Sequence, residues 1–410
     1  MSLKLRPRAR GISALVAVAA LLLAGCASAS PASAPPPAPG RLPLAVSFTT
    51  AKATWAVVPV HGFWELLRVP AKGSHWSNVT PPGVGDSGGL VIGIAPDEDL
   101  MAGFLPSDLL KFSPVERTDN GSVWAPGLLP GALAHGPDVL SAGGGGSAWA
   151  VLAPDRGKVV ATSDGGSDWH SLVDESQLAG TAAGRACGVT GVTAVADAGA
   201  AAGLLGVSCA RPGVVGILRG PGGKGKGDWT LTGPKLPAAL AEGKVRVLRL
   251  VGGSDDRFVL LAVTTAGSDH ADEESVLAAW SDGGDGSWHE SPPLALGAGS
   301  PTGEIVSAGP IGAGPGVAGT TTTPAAAAAT ASVLIRRPDG SLATEQVSAT
   351  TATWRLVAST PARTVALAQA AGGPLEALAV QGQFVQIWSH DPASAYWRKI
   401  QTIFVPPGTS

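Results

Sequence analysis

The chain has 410 residues, of which 45% are hydrophobic, with 28 Lys+Arg set against 31 Asp+Glu. Removing Lys4, Arg6, Arg8 and Arg10 with the first 25 residues takes the basic count from 28 to 24, so the body is acidic and offers no basic footprint to a nucleic acid. The stretch beyond residue 40 is too long for one ordinary hydrophobic core, which stops growing near roughly 250–300 residues, so it holds two domains or one repeat architecture.

Residues 1–25 carry an address. The four basic residues precede an apolar stretch from Ile12 to Ala24 that is broken only by Ser13. That is a signal peptide's layout, and the stretch is shorter than the roughly 20 apolar residues a spanning helix needs. It ends in Leu23-Ala24-Gly25-Cys26, which resembles the lipobox of bacterial lipoproteins. The resemblance implies a diacylglyceryl group on the Cys26 thiol and a mature chain anchored to the membrane outside the cytoplasm. Each buried methylene contributes about 0.8 kcal/mol, so several acyl chains on one residue hold stably. The alternative is an ordinary secretory signal cut nearby, with Cys26 a bystander; export survives either way. Residues 26–40 are almost entirely Ala, Ser and Pro, a composition that buries no core and reads as a disordered tether. The folded body is expected over residues 41–410.

In that body 57 Gly and 34 Pro of the whole chain fall largely between short Val/Leu/Ala runs, the pattern of many short strands joined by turns. Trp55-Ala56-Val57-Val58 and Trp149-Ala150-Val151-Leu152 each open a strand-like run, followed by a turn, a second run and another tryptophan. Leu378-Ala379-Val380, Phe384–Trp388 and Trp397 repeat the pattern. The late tryptophans Trp76, Trp124, Trp169, Trp229, Trp288 and Trp397 mark units of roughly 40–60 residues, the period of propeller blades. The prediction is an all-β, seven-bladed β-propeller of four-stranded antiparallel blades, with six or eight blades as alternative counts. The sixth unit, near residues 301–350, is irregular: it lacks a late tryptophan unless Trp354 serves, and it contains the runs Thr320–Thr323 and Ala325–Ala329. Helix-period stretches with caps are not evident after Gly40. Cys187 and Cys209 flank two expected strands, 189–195 and 203–208, and an even cysteine pair in an exported chain predicts a disulfide at the open end of that hairpin. A redox or metal role is the alternative, but two cysteines alone cannot fill a tetrahedral site.

The segment Thr162-Ser163-Asp164-Gly165-Gly166-Ser167-Asp168-Trp169 resembles the Asp-box, or BNR, repeat of sialidase-like propellers. In such a turn the aspartate accepts backbone N–H groups, glycine takes a conformation other residues avoid, and tryptophan packs across the hairpin base. A second copy runs from Ser281 and Asp282 through Gly284 to Trp288, one residue longer, and a decayed third joins Asp391 to Trp397. The resemblance implies turns on the outer rim between third and fourth strands. It speaks to fold, not catalysis.

Chemistry is hard to find. The sialidase resemblance would require an arginine triad and a tyrosine nucleophile, but Tyr396 is the only tyrosine and adjoins Trp397 at the rim; Leu67-Arg68-Val69-Pro70 ends a second strand rather than opening the first blade. Histidines 61, 75, 135, 170, 270, 289 and 390 lack metal-ligand spacing, the acidic stretch 269–274 reads as solvated loop charge, and Gly222–Gly227 lacks the ending of a phosphate-binding loop. No catalytic residue, metal ligand or cofactor is expected. The expected function is a monomeric, non-enzymatic binding scaffold for a protein or glycan, presented by loops around a central funnel. The alternatives are a glycoside-acting enzyme or lyase in that funnel and a cell-envelope assembly or maintenance factor.

Overall fold

The second strand of the first unit, Ala53–Val60, is buried along almost its whole length, so both of its faces are covered. A single four-stranded sheet cannot achieve that alone; sheets stacked face to face around an axis can. The computed structural model describes residues 45–406 apart from 51, 82–88, 96–98, 106–110, 154–156, 197–202, 221–227, 253–255, 267–271, 283–286, 298–302, 313–329 and 371–372. Cys26, the tether, Gly284 and the Thr/Ala runs of the sixth unit therefore lie outside the described residues.

Seven antiparallel sheets succeed one another along the chain, each made of four consecutive strands in the order first, second, third, fourth. They span residues 46–78, 90–128, 140–173, 189–231, 244–290, 304–359 and 364–404, and are numbered blades 1 to 7. Two blades gain a short fifth strand, Ala132–Leu133 in blade 3 and Leu294–Ala295 in blade 5. The protein is a seven-bladed β-propeller.

The tryptophan rhythm has a single structural meaning. Trp76, Trp124, Trp169, Trp229, Trp288 and Trp354 each stand immediately before the fourth strand of their blade, and Trp397 is the second residue of the last one. Trp354 thus fills the place that looks vacant in the sixth unit. Several of these indoles also staple neighbouring blades. Trp288 Nε1 donates to Thr232 O at 2.5 Å and Trp354 Nε1 to Pro292 O at 2.9 Å, in each case to the segment just after the preceding blade's fourth strand.

Blade 1 meets blade 7 through side chains. Trp76 Nε1 donates to Glu376 Oε2 at 2.8 Å, Trp76 N to Gln401 Oε1 at 2.8 Å, and Gln401 Nε2 returns a bond to Trp76 O at 2.7 Å. Thr49 Oγ1 adds a bond to Gln369 O at 2.6 Å. Burial raises the Glu376 pKa above its ordinary value, and the Trp76 bond only partly opposes this. A carboxyl whose pKa is raised by folding favours the folded state below its unfolded pKa, and that contribution is lost as pH rises through the folded pKa. Glu376→Gln keeps an acceptor for Trp76 without the charge. It is expected to melt above the parent at neutral pH, with the gap closing as pH falls through the raised folded pKa of Glu376, in thermal melts followed by circular dichroism.

Blades 3 and 4 are joined by two short helices that no helix-period stretch announces, Glu175–Ala179 and Ala182–Cys187. Their signals are local: Asp174 and Gln177 form a capping box, Thr181 Oγ1 accepts from Gly184 N at 2.9 Å, and Gly188 closes the second helix in the left-handed region at φ 69°. The second helix delivers Cys187 to Cys209, and the two form a disulfide with S–S 2.00 Å. Val189 pairs with Cys209 across the first and second strands of blade 4, so the bridge sits at the hairpin's open end.

Candidate functional site

The ring axis is the place a propeller usually offers for binding, and here a buried ion pair joins several of the inner strands. Arg249, on the first strand of blade 5 (Lys244–Gly252), is fully buried and points its Nε at both carboxylate oxygens of Asp138, at 3.1 and 3.0 Å. Its Nη1 donates to Ala308 O of blade 6 at 2.7 Å, and its guanidinium lies 4.6 Å from the ring centroid of Phe48 in blade 1. Asp138 also accepts from Leu250 N at 2.6 Å, while its own carbonyl accepts from Val195 N of blade 4 at 2.7 Å. Five blades or their approaches therefore meet on one buried ion pair. Desolvation raises the Asp138 pKa, and the adjacent guanidinium opposes that rise.

A surface cleft of about 560 Å³ lies instead at the seam between blades 6 and 7. One wall is the connection that leaves the fourth strand of blade 6, including Ser359, Pro361, Ala362 and Arg363. The other is blade 7, with Gln381, Gln386, Trp388, Ala395, Tyr396 and Trp397. Among the described residues the buried apolar cluster nearest this seam is Leu334, Leu367, Leu375 and Ala377, with Val306, Leu342, Val357, Trp388 and Trp397 packed against it. The indole staple is also missing. Trp288 and Trp354 bond the segment after the preceding blade's fourth strand, but among the described residues Trp397 Nε1 makes no such bond. The Nε1 atoms of Trp397 and neighbouring Trp388 are buried with no hydrogen-bond partner among the described residues.

Strand alternation sets the chemistry of the blade 7 wall. Along Phe384–Asp391, Val385 and Ile387 point into the core, leaving Phe384, Gln386 and Trp388 on the opposite face at steps of about 7 Å. Phe384 packs against Phe404 of the adjacent strand with centroids 5.5 Å apart, and both are about half exposed. Gln386 Nε2 donates to Gln381 Oε1 at 2.8 Å, which leaves one amide N–H₂ and one amide oxygen side by side for a ligand. Behind the lining, the His390 ring lies tilted against Trp397 with centroids 5.1 Å apart, and burial lowers its pKa. The lining has aromatic faces, amides and one guanidinium, and no carboxylate.

The sequence-predicted turn residues are distributed around the rim rather than gathered. In blade 3, Asp164 Oδ1 accepts from Ser167 N and Asp168 N, each at 3.0 Å, and from Thr162 Oγ1 at 2.7 Å. Gly165 and Gly166 are left-handed, at φ 76° and 95°, and Trp169 Nε1 donates to Gly166 O at 3.1 Å. In blade 5, Ser281 and Asp282 end the third strand and Trp288 precedes the fourth. In blade 7, Asp391 accepts from Ala393 N at 2.9 Å and Ser394 Oγ at 2.8 Å, bonds that hold its pKa below the ordinary value. This last turn alone adjoins the cleft: it presents Tyr396, 76% exposed. Trp76 lies at the blade 7–blade 1 seam and Trp124 and Trp229 at the rim of their own blades. Nothing in the sequence pattern marks Arg363, Gln381, Gln386, Asp138 or Arg249 as functional. The alternating Phe-x-Gln-x-Trp of blade 7 is the one readable signal for the cleft wall. Among the described residues, no group of three or more His, Cys, Asp or Glu converges as a metal site.

No protein-family model matches the chain, and no curated protein matches it in sequence. Similar solved structures include a puromycin hydrolase mutant, at 10% identity over 90% of this chain and 55% of that one, with a TM-score of 0.41. TolB from Acinetobacter baumannii is 12% identical over 75% of this chain and 63% of that one, with a TM-score of 0.39. SapL1 lectin, solved with alpha methyl fucoside, is 11% identical over 89% of this chain and 97% of that one, with a TM-score of 0.38. At this level of similarity the neighbours' activities do not transfer to this chain. The likeness of the 162–169 turn to an Asp-box rests on its own residues.

Proposed function

We propose that the protein is a non-enzymatic binding scaffold, anchored outside the cytoplasm through a lipid on Cys26, that holds a glycan chain in the cleft between blades 6 and 7. The observation that supports this most is the composition of the lining. Indole and phenol faces cover the apolar C–H faces of sugar rings, planar amides pair with hydroxyls, and the Phe384–Phe404 pair continues the same strand face beyond the cleft. Hydrolysis of a glycosidic bond takes two carboxyl groups flanking it, and the lining supplies none. Export and anchoring are supported by the basic, apolar and Leu23–Cys26 segments in succession.

The test uses the full chain in detergent on an array of neutral and acidic oligosaccharides. A discrete set of glycans is expected to be retained. Tyr396→Ala, at an exposed position where the fold tolerates change, is expected to weaken their binding about tenfold or more. Equal retention by parent and variant, or capture of polypeptides but no glycan, overturns the reading. In the same cells Cys26→Ala is expected to lose palmitate label and membrane association together.

A further inference from the structure

We infer that the cleft's ligand is an acidic glycan whose sugar carboxylate is received by Arg363, an inference that rests on the glycan reading of the same cleft. Arg363 is the one charged side chain of the lining, and among the described residues it forms no ion pair. Arg117, Arg246, Arg249, Arg336 and Arg337 pair with carboxylates elsewhere in the ring.

The backbone is a second, independent sign. Arg363 is held in the left-handed region at φ 64°, where an L side chain costs roughly 1–2 kcal/mol and glycine costs little. Four non-glycine residues among those described adopt such a conformation, His61, Ala352, Arg363 and Ala395, and two of the four line this one cleft from different connections. Strain of this kind persists where the surrounding structure enforces it, and it gathers at ligand sites. The enforcing bonds are visible: Thr364 N and Thr364 Oγ1 both donate to Pro361 O, at 3.3 and 2.7 Å, and Val380 N donates to Arg363 O at 3.1 Å. An arginine thus stands where glycine would be the more stable choice, and its guanidinium is what glycine lacks.

The charge count selects the anion. A guanidinium fork matches a carboxylate in two parallel hydrogen bonds. A phosphate monoester carries about −1.5 to −2 charges at neutral pH, and the lining has no second cation to balance it. One carboxylate per bound sugar is the fitting charge. The Gln381–Gln386 amides and the Trp388 and Trp397 faces then hold the rest of the ring.

The experiment is isothermal titration of the full chain in detergent with hexagalacturonate and with its fully methyl-esterified form, which keeps the rings and removes the charge. The acid is expected to bind at least tenfold more tightly than the ester. Arg363→Gly is expected to bring the acid down to the ester's affinity while the melting temperature stays level or rises, because the substitution relieves strain. A residue kept for structure alone would show the opposite pattern. Equal affinity for acid and ester, or an Arg363→Gly variant that still prefers the acid, overturns the inference while leaving a neutral-glycan reading in place. Binding of poly-glutamate with no binding of either sugar overturns both readings.

Discussion

Asp138→Ala is expected to lose about 3–5 kcal/mol of folding stability, read from urea denaturation followed by tryptophan fluorescence. The magnitude comes from the groups the substitution strands. Arg249 is fully buried, and Asp138 is the carboxylate that neutralises it from 3.0 Å. With that carboxylate gone, a positive charge stays on the axis with only the Ala308 carbonyl and the Phe48 ring facing it. Leu250 N loses its acceptor at the same time. A buried charge with no counter-ion costs far more than the pair contributes as a pair, so a double-mutant cycle separates the two. Asp138→Ala with Arg249→Met is expected to recover a large part of the loss, since methionine fills similar space without charge. A single-variant loss below about 1 kcal/mol, the level of an exposed pair, would mean that water reaches the axis and that the pair is not the hub joining the inner strands.

Removing the disulfide is the second large effect. Cys187 and Cys209 are 22 residues apart, and closing a loop of that length lowers the entropy of the unfolded chain by an amount worth about 3 kcal/mol. Cys187→Ser with Cys209→Ser is expected to lose about that much, and the parent treated with reductant should fall to the same denaturation midpoint. The loss should be uneven in space. The six-residue helix Ala182–Cys187 is too short to persist alone and depends on Thr181, Gly188 and the bridge for its ends. Hydrogen exchange in residues 175–188 is therefore expected to rise well before that of the first and second strands of blade 4. Loss of less than about 1 kcal/mol would place the main constraint on this hairpin in its strand pairing, not in the bridge.

The seam between blades 6 and 7 shows how a repeat architecture makes a site by failing to repeat. At three seams an indole before the fourth strand reaches a neighbouring blade, as Trp76 reaches Glu376, Trp288 reaches Thr232 and Trp354 reaches Pro292. At the seam between blades 6 and 7 no indole bond of this kind is seen among the described residues, and a cleft lined by Pro361, Arg363, Trp388 and Tyr396 opens there. On the proposed reading, recognition chemistry lies at this cleft, while the Arg249–Asp138 pair serves cohesion.

The features legible in the sequence are those that are local or periodic. Tryptophans recur because each blade needs one at the same point of its fourth strand; Asp164 and its glycines form their turn within eight residues; and Cys187 and Cys209 bracket a single hairpin. Each of these depends on neighbours a few residues away, so composition and spacing carry the information, and the blade count comes with it. The helices at 175–187 are equally local, but their capping box is masked by the strand pattern that surrounds it. The cleft and the hub are beyond that kind of reading. Arg249 meets Asp138 across 111 positions, and Arg363, just before blade 7's first strand, shares a cleft with Trp388 and Tyr396 of its third and fourth strands only once the sheet has formed. Side chains on different blades are brought together by the closure of the ring, a many-body packing result that no short window of residues encodes.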